Sequence, residues 1–135
     1  MPSKYDFEKF PPAPVLEIRV SVPYAAAGDE IHMALIDTGS DFTIVPLSLV
    51  AKIDAPESRL ANVRALWGES RLVTLYYVDI HFETGTIPNV EVIGSPDARR
   101  DNEIILGRNV LNRLILLLDG HEAQTDILKQ RPRRI

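Results

Sequence analysis

From Val15 onward the chain reads Val15-Leu16-Glu17-Ile18-Arg19-Val20-Ser21-Val22, an alternation of apolar and polar positions after its first residue. A period of two lays one face of a strand on a core and turns the other to solvent. Ala26-Ala27-Gly28-Asp29-Glu30 supplies a turn, and Ile31 to Ile36 reads as the returning strand, which delivers Asp37 at a strand end. Asp41-Phe42-Thr43-Ile44-Val45 is rich in strand formers, and Pro46 with Leu47 to Ile53 suits a short helix that opens at proline. Asn62 to Leu66 and Leu72 to Phe82 predict two strands flanking the polar turn Trp67-Gly68-Glu69-Ser70.

Farther on, Thr84-Gly85-Thr86 predicts a turn, Val90 to Ile93 a strand, and Gly94-Ser95-Pro96-Asp97 a loop. The apolar run Ile104-Ile105-Leu106 ends in Gly107, after which Val110, Leu111 and Leu114 share one helical face and predict a brief helix over Asn109 to Leu114. Ile115 to Leu118 reads as a short buried strand ended by Asp119-Gly120. Many short strands, frequent turns and one or two short helices predict a mostly β, barrel-like domain.

The ends carry different patterns. Residues 1 to 14 contain Pro2, Pro11, Pro12 and Pro14, a density that resists helix and sheet pairing and predicts an extended arm. The domain proper spans residues 15 to 120, and residues 121 to 135 read as a C-terminal tail whose basic stretch, Lys129-Gln130-Arg131-Pro132-Arg133-Arg134, is expected to be a solvated face. A chain of 135 residues, 45% hydrophobic and 25% charged, is long enough for one domain with its own core and ordinary enough to be globular. A net charge of −4 gives no electrostatic case for nucleic acid as a partner. The longest apolar run, Leu114 to Leu118, is far short of the roughly 20 residues that cross a bilayer, and the amino terminus lacks a basic segment followed by an apolar one. A soluble, cytoplasmic protein without a membrane partner is expected.

With no cysteine, disulfides, thiol catalysis and cysteine-ligated zinc are excluded. His32, His81 and His121 are too widely spaced for a zinc motif, so no metal and no cofactor is expected. Ser40 lacks the Gly-x-Ser-x-Gly setting of a hydrolase nucleophile. Tyr76 and Tyr77 fall on opposite strand faces, so at most one is expected to line a cleft, and Ile36, Val45, Val63, Ile93 and Ile105 are candidates for pocket walls or core. The chemistry concentrates instead at Asp37-Thr38-Gly39-Ser40, a carboxylate in a glycine-bearing turn that occurs once.

Two blocks carry a resemblance. Leu35-Ile36-Asp37-Thr38-Gly39-Ser40 and Leu106-Gly107-Arg108-Asn109-Val110-Leu111, in that order, resemble the retropepsin-type aspartic proteases, the single-lobe family that includes the retroviral proteases. The likeness covers roughly residues 15 to 120. It implies a closed β-barrel lobe that forms a two-fold dimer, with Asp37 from each chain completing one catalytic pair that hydrolyses a peptide or protein substrate. It also implies that Thr38 reaches across the symmetry axis, that Asp41 and Arg108 form a bracing ion pair, and that the termini either pair at the dimer interface or are simply mobile. The turn Trp67-Gly68-Glu69 stands where the substrate-covering flap belongs. Gly39 allows close backbone approach and an amide bond to the carboxylate, and a Ser40 hydroxyl donating to Asp37 would favour its charged form and an acidic optimum. The rival expectation is a catalytically silent dimer of the same shape that binds peptide or serves only to dimerise.

Overall fold

In the computed structural model, which describes residues 2–64, 68–96 and 103–133, the alternating segment forms β2 (Val15–Ser21), after a two-residue β1 (Ser3–Lys4) in the arm. The chain returns as β3 (His32–Ile36), then β4 (Thr43–Pro46) and α1 (Leu47–Lys52). A long hairpin follows, β5 (Glu57–Arg64) with β6 (Ser70–Phe82), and β7 (Gly85–Ser95) runs back along β6. β8 (Ile104–Leu106), α2 (Arg108–Leu111), β9 (Ile115–Asp119) and β10 (Gln124–Leu128) complete the order.

The strands β2-β3-β8-β4-β7-β6 are neighbours in that sequence, and β6 pairs again with β2, so six strands close into a barrel with β5 attached outside on β6. Closure depends on the length of β6. Its 13 residues let Ser70 to Tyr76 pair with β5, Leu75 to Phe82 with β7, and Asp79 to His81 with β2. Inside sit Leu16, Ile18, Ala34, Val78, Ile80, Val92, Leu106 and Val110, each at most 2% exposed.

Asp79 is also buried, where the β6–β7 register slips between Val78 and Ile80. Its two carboxylate oxygens accept from Tyr24 N and Asn89 N, each at 2.9 Å, so one acid fixes the turn after β2 and the kink in β7. Tyr24 and Asn89 both have positive φ, and such bonds offset part of that backbone cost.

Several predicted boundaries shift. β5 starts at Glu57 instead of Asn62, because Ser58 and Arg59 have no apolar alternation to mark them yet both bond Glu91 of β7. β7 runs through Gly94 and Ser95, expected as loop, because β4 pairs with them in parallel. The brief helix starts at Arg108 and ends by Leu111. The expected tail holds β10, which pairs with β9 and with β1 to make a separate three-stranded sheet, and the arm also bridges Asp6 to Ala13. The arm and tail thus meet within one chain. No helix among the described residues is long and apolar enough to cross a membrane.

Candidate active site

β8 lies between β3 and β4, parallel to β3, with Ile36 opposite Leu106. The two strands therefore end side by side, and the Asp37-Thr38-Gly39-Ser40 turn leaves one end as Gly107-Arg108-Asn109 leaves the other. Backbone bonds lace the two together: Asp37 N to Leu106 O at 3.0 Å, Arg108 N to Ser40 O at 2.8 Å, and Asn109 N to Asp41 O at 3.3 Å. Ile36 N donates to Pro14 O, which seats the end of the arm beside the same turn.

Asp37 is half-buried, and its Oδ1 accepts from Gly39 N at 2.9 Å. A Cβ on Gly39 would lie 3.2 Å from that oxygen and crowd the carboxylate. Gly107 is constrained more severely: a Cβ there would lie 2.2 Å from Phe42 O and 2.8 Å from Ser40 O, so the two turns can approach only at glycine.

Arg108 spans the assembly. Its Nη1 donates to Thr38 O at 2.7 Å and its Nη2 to Asp41 Oδ1, an ion pair between a half-exposed guanidinium and an exposed carboxylate. Thr38 itself is exposed, and among the described residues its hydroxyl has no hydrogen-bond partner. Ser40 corrects an expectation. Its hydroxyl donates to Phe42 O at 2.7 Å rather than to Asp37, because the carbonyl two residues on lies within the reach of a short side chain.

Beneath the turns lie two residues that the sequence reading left without a role. Thr43, fully buried, accepts from Gly107 N at 3.1 Å and donates to Asn109 Oδ1 at 2.9 Å, while Asn109 Nδ2 donates to Glu91 O at 2.8 Å. A polar residue within the strand-forming run Thr43-Ile44-Val45 was the available signal for Thr43; Asn109 sat in the second block beside Arg108.

A carboxylate turn at the end of one barrel strand, clasped by a glycine-arginine turn from its parallel neighbour, sits on a six-stranded closed lobe. The fold is that of the retroviral proteases. EIAV protease, solved with the inhibitor HBY-793, superimposes with a TM-score of 0.53 at 19% identity, over 82% of this chain and 93% of that one. The foamy viral protease-reverse transcriptase, solved with double-stranded DNA, gives 0.52 at 19% identity, over 76% of this chain and 16% of that longer one. No family model matches the chain, nor does any curated protein.

In this retroviral-protease-like lobe the β5–β6 hairpin projects from the barrel. Its last pair is Arg64 with Ser70; Gly68, with φ of 86°, and Glu69 are exposed at its tip, and Trp67 lies outside the described residues. Leu60 and Leu72 are 62% and 60% exposed on one face of this hairpin. At its base Glu91 accepts from Arg59 Nε at 2.9 Å and from Ser58 Oγ at 2.6 Å, and these two bonds hold its pKa below the usual carboxylate value.

Of the five apolar candidates, Val45, Ile93 and Ile105 are buried and Ile36 and Val63 half-buried; Tyr76 packs on the core whereas Tyr77 is exposed. His81 bridges Ser21 Oγ and Thr86 Oγ1, each at 2.8 Å, and His32 lies 3.8 Å from Glu30. No three His, Cys, Asp or Glu side chains among the described residues are grouped to hold an ion.

Proposed function

We propose that this chain is an aspartic endopeptidase active as a homodimer, residues 15 to 120 forming the protease lobe. The observation that carries the reading is the single held carboxylate: Asp37 stands in a turn clasped by Gly107 and Arg108, with one carboxylate per lobe. Peptide hydrolysis without a metal or covalent nucleophile needs one group to take a proton from water and another to give one to the carbonyl oxygen or leaving amine. Two Asp37 carboxylates, one from each copy, divide that work by sharing one proton, since repulsion separates their affinities. This is the general logic of aspartic proteases, taken over here rather than worked out from this site.

Gly39 N–H steadies the charged partner. The exposed Thr38 hydroxyl is free to bond across the axis, and Arg108 with Asp41 braces the loop that carries both residues. The β5–β6 hairpin, with Gly68 and Glu69 at its tip, serves as the flap, and an extended peptide binds beneath it by strand addition. The cytoplasm is the compartment this reading assigns.

The deciding experiment incubates the chain with a mixed peptide library from about pH 3 to pH 8, alongside Asp37→Asn. Cleavage that disappears in Asp37→Asn supports the enzyme. Peptide binding without turnover in both proteins supports the silent module instead.

A further inference from the structure

Alternate residues of a barrel strand face inward and outward, and directly opposed residues of neighbouring strands share a face. Ala34, Leu106, Val45 and Val92 turn into the core, so Leu35, Ile105, Ile44 and Ile93 lie on the outside. Register joins these four into one apolar wall: Leu35 opposes Ile105, Ile105 opposes Ile44, and Ile44 opposes Ile93. Asp37, two residues past Leu35, continues the ladder through its amide to Leu106 O and leaves β3 on the same side as the wall. Ile93 in turn opposes Leu75, which carries the face onto the β5–β6 hairpin.

Along the hairpin that face continues through Val73, opposed to Ala61, and reaches Arg71, opposed to Val63. Ala61, Val63 and Val73 are half-buried, whereas Leu60 and Leu72 on the other face are largely exposed. The hairpin therefore turns toward its own lobe the face that it shares with Asp37. Among the described residues, the charged side chains on this face between Asp37 and the hairpin tip are Arg59, Glu91 and Arg71. Arg59 and Glu91 neutralise each other. Arg71 is exposed and has neither a hydrogen bond nor an ion pair among the described residues, so an unanswered guanidinium stands at the rim of an apolar wall.

A peptide held between the Asp37 turn and the hairpin meets this face along its length. Apolar side chains leave water against Ile44, Ile93 and Ile105. A carboxylate entering the same cleft loses water and is repelled by Asp37, unless a cation answers it. Arg71 is placed to do so, because its planar fork donates to both oxygens of a carboxylate. A lysine or arginine at that point meets like charge instead. We propose that Arg71 determines specificity, selecting peptides that carry aspartate or glutamate close to the scissile bond among apolar neighbours. The two-fold axis of the proposed dimer sets one Arg71 on each side of that bond, so the acid is accepted on either side. The inference rests on the dimeric protease reading and names the substrate class of that site.

The test profiles a peptide library at about pH 6, where substrate carboxylates are ionised. It then compares matched peptides that differ only in glutamate or lysine at the position the library favours for an acid. With the unaltered chain, kcat/KM for the glutamate peptide is expected to exceed that for the lysine peptide at least about tenfold. Arg71→Glu is expected to reverse the order, and Arg71→Lys to keep it with a smaller ratio. Each ratio is taken within one protein, so a reversal cannot come from a partly unfolded variant. Where Arg71→Glu cleaves neither peptide, Arg71→Gln decides: a ratio brought close to one supports the proposal, and an undiminished ratio overturns it. Cleavage by the unaltered chain with no preference for acids, or a preference that Arg71→Glu leaves in place, overturns the role of Arg71 and leaves the protease reading standing. A chain that cleaves no peptide at any pH overturns both.

Discussion

Gly107 shows how much one absent atom decides. The Asp37 turn and the Arg108 turn touch where a Cβ would lie inside the van der Waals radius of Phe42 O, and backbone on both sides leaves nothing flexible to give way. Gly107→Ala is expected to cost about 3 kcal/mol or more, read as a lowered urea midpoint, with loss of activity even where the chain remains folded. Thr43→Val keeps the shape but strands Gly107 N and Asn109 Oδ1, and about 2 kcal/mol of destabilisation is expected in the same assay. Arg108→Lys keeps the charge and loses the two-pronged grip on Thr38 O and Asp41, so activity is expected to fall at least about tenfold in steady-state assays. Ser40→Ala should leave the acidic limb of a pH–rate profile where it is, since that hydroxyl serves Phe42 O. Asp37 and Gly39 were legible in the sequence because a carboxylate in a tight turn demands close backbone approach, and Arg108 through the resemblance of its block. The Ser40 partner was not, because a short hydroxyl takes whichever acceptor the local turn presents.

At the scale of elements, the β5–β6 hairpin is fastened at its base by one carboxylate. Arg59 first and Ser58 second hold Glu91 below the ordinary value of 4.5 for a glutamate, and both donors belong to β5 while Glu91 belongs to β7. A depressed folded-state pKa stabilises the fold above the unfolded value and loses that contribution as pH falls through the folded one. The melting temperature of Glu91→Gln is therefore expected to lie below that of the parent above about pH 5, with the gap narrowing as the pH drops under 4.5. The pair is partly exposed, so the gap is a small one, within what surface ion pairs contribute. Alternation made β2 and most of β6 readable. It failed for the start of β5, where Glu57-Ser58-Arg59 is polar on both faces, and for β10, whose five residues follow a turn with Ala123 at positive φ and carry too short a pattern to separate from a tail.

At the scale of the whole molecule, the proposed second carboxylate makes activity a property of concentration. Specific activity is expected to fall on dilution below the dimer dissociation constant and to recover on reconcentration, as followed by cleavage of a quenched peptide. The barrel was legible as a class from its short strands and turns, and its closure from the resemblance; that β6 is the strand reaching round to β2 was not. Nor did the sequence show the ends of the chain meeting. Ser3 pairs with Thr125, a contact that spans almost the full length of the polypeptide. On a ribosome the first strand must therefore wait for the last, and β9, which among the described residues has β10 as its strand neighbour, waits with it. The order of synthesis thereby acts as a timer: the Asp37 turn gains its clasp only once Arg108 has been made, and the terminal sheet follows only with Gln124 and Thr125. Nascent fragments ending before Gln124 are accordingly expected to leave Ser3 and Lys4 without their strand partner, read as fast amide exchange there.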